Sequence, residues 1–401
     1  MNAWLTVIGI GDDGIENLPP ASRALLDAAD VVAGSERVLL NANLGAKEAL
    51  IWGSPFEESL ERLLDLKGRD VVVLATGDPM HYGIAATLLR HVPAKDMAIV
   101  PAPSAFSLAA ARLGWPLQDV EPLSLHGRPF SLLHPFVQPG ARVIALTGSG
   151  GTVSDVAELL KQRGFGPSAL TILEHMGGPY ERIVSTTAED CGKQDFADFN
   201  TLAIECAAGP GPRILPRIPG LPDDAFVHDG QLTKREVRAV TVAALAPTPG
   251  ALLWDVGAGC GSVAIEWMRS ANNAQAIAFE RNEERVRMIA QNAVALGAPG
   301  LELVPGDARD TITGNEAPDA IFLGGALAGD QVFKACWMVL PKGARLVANA
   351  VTLEGEAALI ARHDKHGGEL VRMEVSHVSA VGKRRAMRPR MAVTQWRAVK
   401  E

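Results

Sequence analysis

The stretch Trp254 to Glu266, WDVGAGCGSVAIE, passes from an apolar run through Gly257, Gly259 and Gly261 into a second apolar run. Three missing side chains let backbone amides close on a ligand where a helix begins. The spacing is G-x-G-x-G, with Asp255 two places ahead of the first glycine. Dinucleotide loops put the third glycine one place later and usually lack that acid, so the pattern points to S-adenosylmethionine. Two further acids follow in order. Glu280 closes the run AIAFE, where a carboxylate can accept from both hydroxyls of a ribose. Asp307, with Ala308 in the GDA triplet after LELVP, can meet an adenine amino group. A later run ends IFLGG; Gly324 and Gly325 leave space for a large substrate, where base-methylating enzymes would carry an Asn-Pro-Pro-Tyr-like turn.

These residues need strands that end together and helices that begin there. ALLWDVG, AIAFE, LELVPGD, PDAIFLGG and ARLVANAV read as successive strands, separated by helical stretches such as SVAIEWMRSA and NEERVRMIAQNAVALG, which predicts a doubly wound, mostly parallel sheet. The first half alternates in the same manner: WLTVIGI, DVVVLAT and RVIALTG read as strands, PASRALLDAADVV and TVSDVAELLKQRG as helical. Between the halves, PGPRILPRIPGLPDD carries five prolines and can continue neither a helix nor a central strand. The expected division is therefore a domain over 1–209, a linker over 210–226 and a second domain over 227–401.

With 401 residues, 47% hydrophobic and 21% charged, the chain has ordinary globular composition and is long for one core. No apolar run approaches the roughly 20 residues of a membrane helix, and MNAWLTVIGIGDDG lacks a basic n-region, so a cytoplasmic protein is expected. The four cysteines are widely spaced and suggest reduced thiols, neither a metal site nor disulfides. A net charge of -8 argues against a broad nucleic-acid surface. Locally, His377 to Lys400 holds seven Lys or Arg residues and no acid, either a solvated tail or a site for an anion.

Four segments of the first half, LATGDPMHYG, VPAPSAFSLAAARLGWP, SLHGRP and LEHMGGPYERIV, together resemble the tetrapyrrole methylase family. The resemblance spans residues 3 to 208 and implies a two-lobed α/β fold (class III methyltransferase) holding S-adenosylmethionine, with Gly77, Asp78, His81, Tyr82, Ser104 and Ala105 lining the cofactor. Asp78 is equally an Asx-turn residue fixing its own loop. Two positions depart from the family pattern: Asp12 stands for a proline of the first glycine loop and Ala102 for a glycine. In the second half, HDGQLTKREVRA, DVGAGCGS, DAIFLGGA and NAVTLE resemble the decarboxylating precorrin methyltransferase domain of cobalamin biosynthesis, a Rossmann-like class I fold. This implies that Thr233 borders the cofactor; Thr233 and Glu236 also read as an N-cap and capping box.

Both domains in this order resemble the decarboxylating precorrin-6Y (precorrin-6B) methyltransferase family. That implies methylation of carbon 5 by the first domain, methylation of carbon 15 with loss of the ring C acetate carboxyl by the second, and precorrin-8X as product. One S-adenosylmethionine per domain is implied, with no metal, and a homo-oligomer is expected. A sulfonium methyl is already activated, so positioning should dominate over side-chain chemistry. A macrocycle fringed with carboxylates needs cationic clamps. The candidates are Lys234 and Arg238, then Arg384, Arg385 and Arg388, with His126 and Arg128 in the first domain and Glu236 handling a proton. Competing readings are an RNA methyltransferase, a scaffold that binds S-adenosylmethionine without turnover, and a nicotinamide-dependent reductase, which the loop spacing opposes.

Overall fold

The computed structural model describes residues 3–40, 42, 44–192, 194–324 and 330–401. Two compact units emerge: 1–130 with 139–213, and 131–138 with 214–401.

The first unit carries two sheets. One is parallel throughout, built from β1 (Leu5–Ile10), β2 (Val31–Gly34), β3 (Glu48–Ile51), β4 (Val71–Thr76) and β5 (Met97–Val100) in the order β3-β2-β4-β1-β5. Its central strands read as unbroken apolar runs because both faces are covered: Leu5 and Val7 pack into one core cluster, Ile8 and Ile10 into another. The other sheet is mixed: β6 (Glu121–Ser124), β7 (Arg142–Leu146), β8 (Ala169–Glu174), β9 (Arg182–Thr187) and β10 (Asn200–Glu205), ordered β6-β7-β10-β8-β9. The helix Ala105–Leu113 is capped by Ser104, whose hydroxyl accepts from the Ser107 amide, and it stops at Gly114 in the left-handed conformation.

The second unit is a seven-stranded sheet of β11 (Leu252–Val256), β12 (Gln275–Glu280), β13 (Glu302–Pro305), β14 (Ala320–Leu323), β15 (Arg345–Ala350), β16 (Glu369–Met373) and, after a two-stranded ribbon of β17 (Ser376–Val381) and β18 (Arg384–Pro389), β19 (Val393–Val399). The order β13-β12-β11-β14-β15-β19-β16 is parallel through β15, and β19 runs antiparallel between β15 and β16. Leu253 faces a core with the helices Arg235–Leu245, Ser262–Ser270 and Glu283–Ala295, while Trp254 and Val256 face one with Asp330–Val339 and Leu353–His366. Alternate residues of one strand thus serve two helical layers, the doubly wound arrangement.

The proline-rich segment contains no strand and only a short 3-10 turn, Asp223–Ala225, but it is not a slack tether. Leu215, Leu221 and Phe226 are buried in the second unit's core. The Glu266 carboxylate accepts from the Gly220 and Leu221 amides at 2.8 Å each, and Arg269 donates to the carbonyls of Leu215 and Pro216. No helix among the described residues is long and apolar enough to cross a membrane, and all four cysteines are buried.

Candidate active site

In the first unit the ends of β1, β4 and β5 converge so tightly that Gly9 has no room for a side chain: a Cβ there would lie 2.4 Å from the Gly77 carbonyl oxygen and 2.8 Å from the Ala102 nitrogen. Beyond these ends opens a cavity of about 470 Å³ that gathers Gly77, Asp78, His81, Tyr82, Ser104, Ala105, His126 and Arg128 on its walls. Asp78 Oδ1 accepts from the Met80 amide at 2.8 Å, the Asx-turn geometry. His81 stacks on Phe106 with centroids 4.3 Å apart. The Arg128 guanidinium lies 5.5 Å from the Tyr82 ring centroid, and His126 Nδ1 is 3.2 Å from the Thr147 carbonyl.

A group on the same wall went unread in the sequence. Asp12, whose side chain is only 8% exposed, binds Arg37 at 2.5 Å and His175 at 3.1 Å. Arg37 also donates to Thr76 Oγ1 and lies 3.9 Å from the Phe199 ring centroid. The departure from proline at position 12 was the available signal, since a carboxylate there lets this arginine be held at the cavity.

In the second unit a cavity of about 740 Å³ lies beyond the carboxyl ends of β11, β14 and β15. It brings together Thr233, Lys234, Glu236, Gly257, Gly259 and Gly324; Gly325 lies outside the described residues. Gly257, Gly259 and Gly261 all have positive φ, and at Gly261 a Cβ would come within 2.8 Å of Ile289. Glu280 is buried and accepts from the Gly259 amide at 2.8 Å and the Asn282 amide at 3.0 Å, tying the strand end to the glycine loop. Asp255 lies beneath that loop. Its Oδ2 accepts from the Ala264 amide, its Oδ1 has no partner among the described residues, and burial pushes its carboxyl up to about 7.

Four expectations are corrected or relocated. Arg238 cannot clamp a substrate: it is fully buried, paired with Glu266 at 2.7 Å and Asp223 at 3.2 Å, and it donates to the carbonyls of Thr233 and Leu221. Thr233 is not a helix cap, because the helix Arg235–Leu245 takes Lys234 as its N-cap residue without a side-chain bond, which removes the capping box. Glu236 instead stands at the cavity with His377 Nε2 at 3.6 Å. Asp307 and Ala308 lie outside the cavity wall. The Asp307 carboxylate caps the helix Ala308–Thr311, and its hydrogen bonds from the Arg309 side chain and amide hold it down at about 2. Arg384, Arg385 and Arg388 project from the exposed strand β18, whereas Arg390, just beyond it, does line the cavity.

Two family models match the chain: one described as Tetrapyrrole (Corrin/Porphyrin) Methylases over residues 5–192, the other as Precorrin methyltransferase domain over residues 224–400. A Sinorhizobium sp protein named precorrin-6Y C(5,15)-methyltransferase (decarboxylating) is 46% identical over 397 residues, covering 99% of this chain and 96% of its own. A Salmonella typhimurium protein named cobalt-precorrin-7 C(5)-methyltransferase is 30% identical over 179 residues, 45% of this chain and 88% of its own. A Saccharolobus solfataricus protein named "probable cobalt-precorrin-6B C(15)-methyltransferase (decarboxylating)" is 30% identical over 167 residues, 40% of this chain and 83% of its own. Similar from end to end to the Sinorhizobium protein, and matched in each half by a model of its own, this chain belongs to the family of precorrin-6Y C(5,15)-methyltransferases (decarboxylating).

Proposed function

We propose that the chain transfers two methyl groups from S-adenosylmethionine to precorrin-6Y (precorrin-6B), at carbons 5 and 15, and removes the carboxyl of the ring C acetate, giving precorrin-8X in cobalamin biosynthesis. One observation carries the reading: a chain similar over 99% of its length to a relative named for both methylations and the decarboxylation has a separate glycine-walled cavity in each unit. The first unit is assigned carbon 5 and the second carbon 15 with decarboxylation. One methylation per unit is supported by the two single-carbon relatives, each similar to less than half of the chain.

The residues fit the cofactor. In the second unit, glycines at a helix N-terminus leave backbone at the cavity, and the Glu280 carboxylate, bonded to the Gly259 amide, places negative charge beside the loop for a cationic ligand. Gly257, Gly259, Gly261 and Thr233 would border it, with Glu280 toward its nucleoside; in the first unit Gly77, Asp78, His81, Tyr82, Ser104 and Ala105 would. When bound, S-adenosylmethionine supplies an activated methyl on sulfonium. The protein's own part is to hold the meso carbon in line and to keep water away. Arg128, Lys234 and the arginines of β18 offer charge to the substrate's carboxylates, His126 a hydrogen bond, Gly324 gives the substrate room, and Glu236 handles a proton. The electron pair left when carbon dioxide departs is taken up by the conjugated macrocycle. The reading includes a cytoplasmic location and a homo-oligomer, to be checked by fractionation and sedimentation.

Mass spectrometry of precorrin-6Y incubated with the whole chain and S-adenosylmethionine tests the proposal. Gain of two methyl groups with loss of carbon dioxide is expected. Gly259→Val, which forces a β-branched residue into the left-handed region, should abolish the methylation coupled to decarboxylation. Ala105→Trp, which fills the first cavity, should abolish the other methylation. Absence of any mass change with the unaltered chain would overturn the reading and favour an RNA substrate.

A further inference from the structure

Behind the second unit's cavity, three polar side chains from three elements meet where apolar packing would be expected. Thr241 on the helix Arg235–Leu245 and Gln395 on β19 are both completely buried. Asn349 on β15 faces Gln395 directly across the antiparallel pair and lines the cavity. Asn349 Nδ2 donates to Thr241 Oγ1 at 2.9 Å, and Gln395 Nε2 donates to Asn349 Oδ1 at 2.8 Å and to Thr241 Oγ1 at 3.0 Å. The Thr241 hydroxyl in turn donates to the Val237 carbonyl at 2.8 Å.

The direction of every bond in this group is set from one end. Arg397 Nε, which can only donate, bonds Gln395 Oε1 at 2.7 Å, and the same guanidinium is held by Glu369 at 2.9 Å. With its oxygen taken, Gln395 must present its nitrogen to Asn349. Asn349 must then accept through Oδ1 and donate through Nδ2. One N–H of that amide goes to Thr241. The other has no acceptor among the described residues, and it belongs to a residue on the cavity wall.

Burying polar groups in place of hydrocarbon costs free energy even when each is satisfied. Three apolar residues would fasten this helix to the sheet at least as well. What the polar trio adds is a fixed amide orientation at a position that lines both this cavity and a neighbouring one of about 1220 Å³, each of which also reaches Gly324.

We infer that Asn349 contacts the tetrapyrrole in the second unit, donating its remaining amide N–H to an anionic acceptor, a carboxylate of the macrocycle's rim, and that Thr241 and Gln395 are positioning residues acting through it. This deepens the functional reading above and rests on it. Asn349 opens the NAVTLE segment, one of the stretches that carries the family resemblance. It lies at the end of the fifth parallel strand, beyond the glycine loop in sheet order, which suits a substrate contact better than a cofactor contact.

The test uses the full chain, with steady-state kinetics of the decarboxylating methylation, calorimetric binding of S-adenosylmethionine and thermal melting measured on each variant. Asn349→Ala should lower kcat/KM roughly tenfold to a hundredfold, the equivalent of one hydrogen bond to a charged group. Cofactor affinity should stay as in the unaltered chain, and melting should fall only modestly, by the loss of the Gln395–Asn349 hydrogen bond and to the same extent as in Gln395→Leu. Asn349→Asp, similar in size but anionic, should be worse than Asn349→Ala. Thr241→Val, which keeps the shape and removes the hydroxyl, should lower kcat/KM without loss of cofactor affinity, and Thr241→Ser should restore it. Unchanged kcat/KM in Asn349→Ala, or Asn349→Asp as active as the unaltered chain, overturns the assignment while leaving the functional reading intact. A fall in activity that only tracks a fall in melting temperature or cofactor affinity also overturns it, because it marks a structural role. If the unaltered chain adds no methyl to the tetrapyrrole, the functional reading itself fails and the inference fails with it.

Discussion

Asp255 is an acid in a place where water cannot reach it, with one oxygen on the Ala264 amide and the other unpartnered among the described residues. Burial, reinforced by the Glu280 charge, pushes its carboxyl up to about 7 in the folded chain. In the unfolded chain it titrates near the ordinary value of about 4. Between those two pH values the native state holds a proton that the unfolded state does not, so this group's contribution to stability is complete below the unfolded value and is lost as pH rises through the folded one. Chemical denaturation without cofactor should show the unaltered chain losing stability relative to Asp255→Asn by a few kcal/mol across that window, with a constant difference above it. Equal pH profiles for the two proteins would show that Asp255 is ionised and compensated in the fold. Arg238 teaches the complementary lesson at the same scale. Its charge suggested a clamp, yet the partner acids Glu266 and Asp223 come from distant parts of the chain, and only the fold reveals that they consume it.

Among the elements, those carried by local pattern were legible. VVVLAT and LLWDV form central strands, and the glycine loop between β11 and the helix Ser262–Ser270 lies where G-x-G-x-G placed it. At Gly261, with φ of +78° and Ile289 only 2.8 Å from a Cβ, Gly261→Ala should cost about 1–3 kcal/mol, from left-handed backbone and overpacking. It should also weaken S-adenosylmethionine binding at the second unit alone, readable as the loss of one of two calorimetric sites. Less legible were elements whose residues suit two structures. PASRALLDAADVV read as one helical stretch, but the helix ends at Ala28 and Val31–Gly34 is a strand paired on both sides, because a short buried strand and a helix end have the same apolar residues. The basic stretch from His377 divides as well: β18 is exposed, while β19 buries Gln395 and Trp396 between β15 and β16. Of the sites, the loop residues were readable from spacing. The Asp12–Arg37–His175 group and the Asn349–Thr241–Gln395 trio were not, since their members stand up to 163 and 154 positions apart in the chain.

At the scale of the whole molecule, the division into units does not follow the chain in a single cut. Ser131–Gln138 belongs with the second unit although the first resumes at Pro139. Gln138 donates to the Leu215 carbonyl at 2.8 Å, Phe136 lies under the Arg217 guanidinium, and Pro135 comes so close to Gly297 that a Cβ there would lie 2.5 Å from it. A fragment of residues 214–401 lacks these contacts, and its urea midpoint should fall below that of the second unit within the whole chain; an unchanged midpoint would mean the segment contributes nothing to that core. The same segment also places a delay in the life of the polypeptide. At roughly 5–20 residues per second, residues 131–138 leave the ribosome on the order of ten seconds before Gly297 does, so their apolar side chains wait for partners not yet made. The nascent first unit therefore carries an uncovered stretch throughout synthesis of the second, a stretch for chaperones to recognise and a point at which a truncated messenger yields a product prone to aggregate.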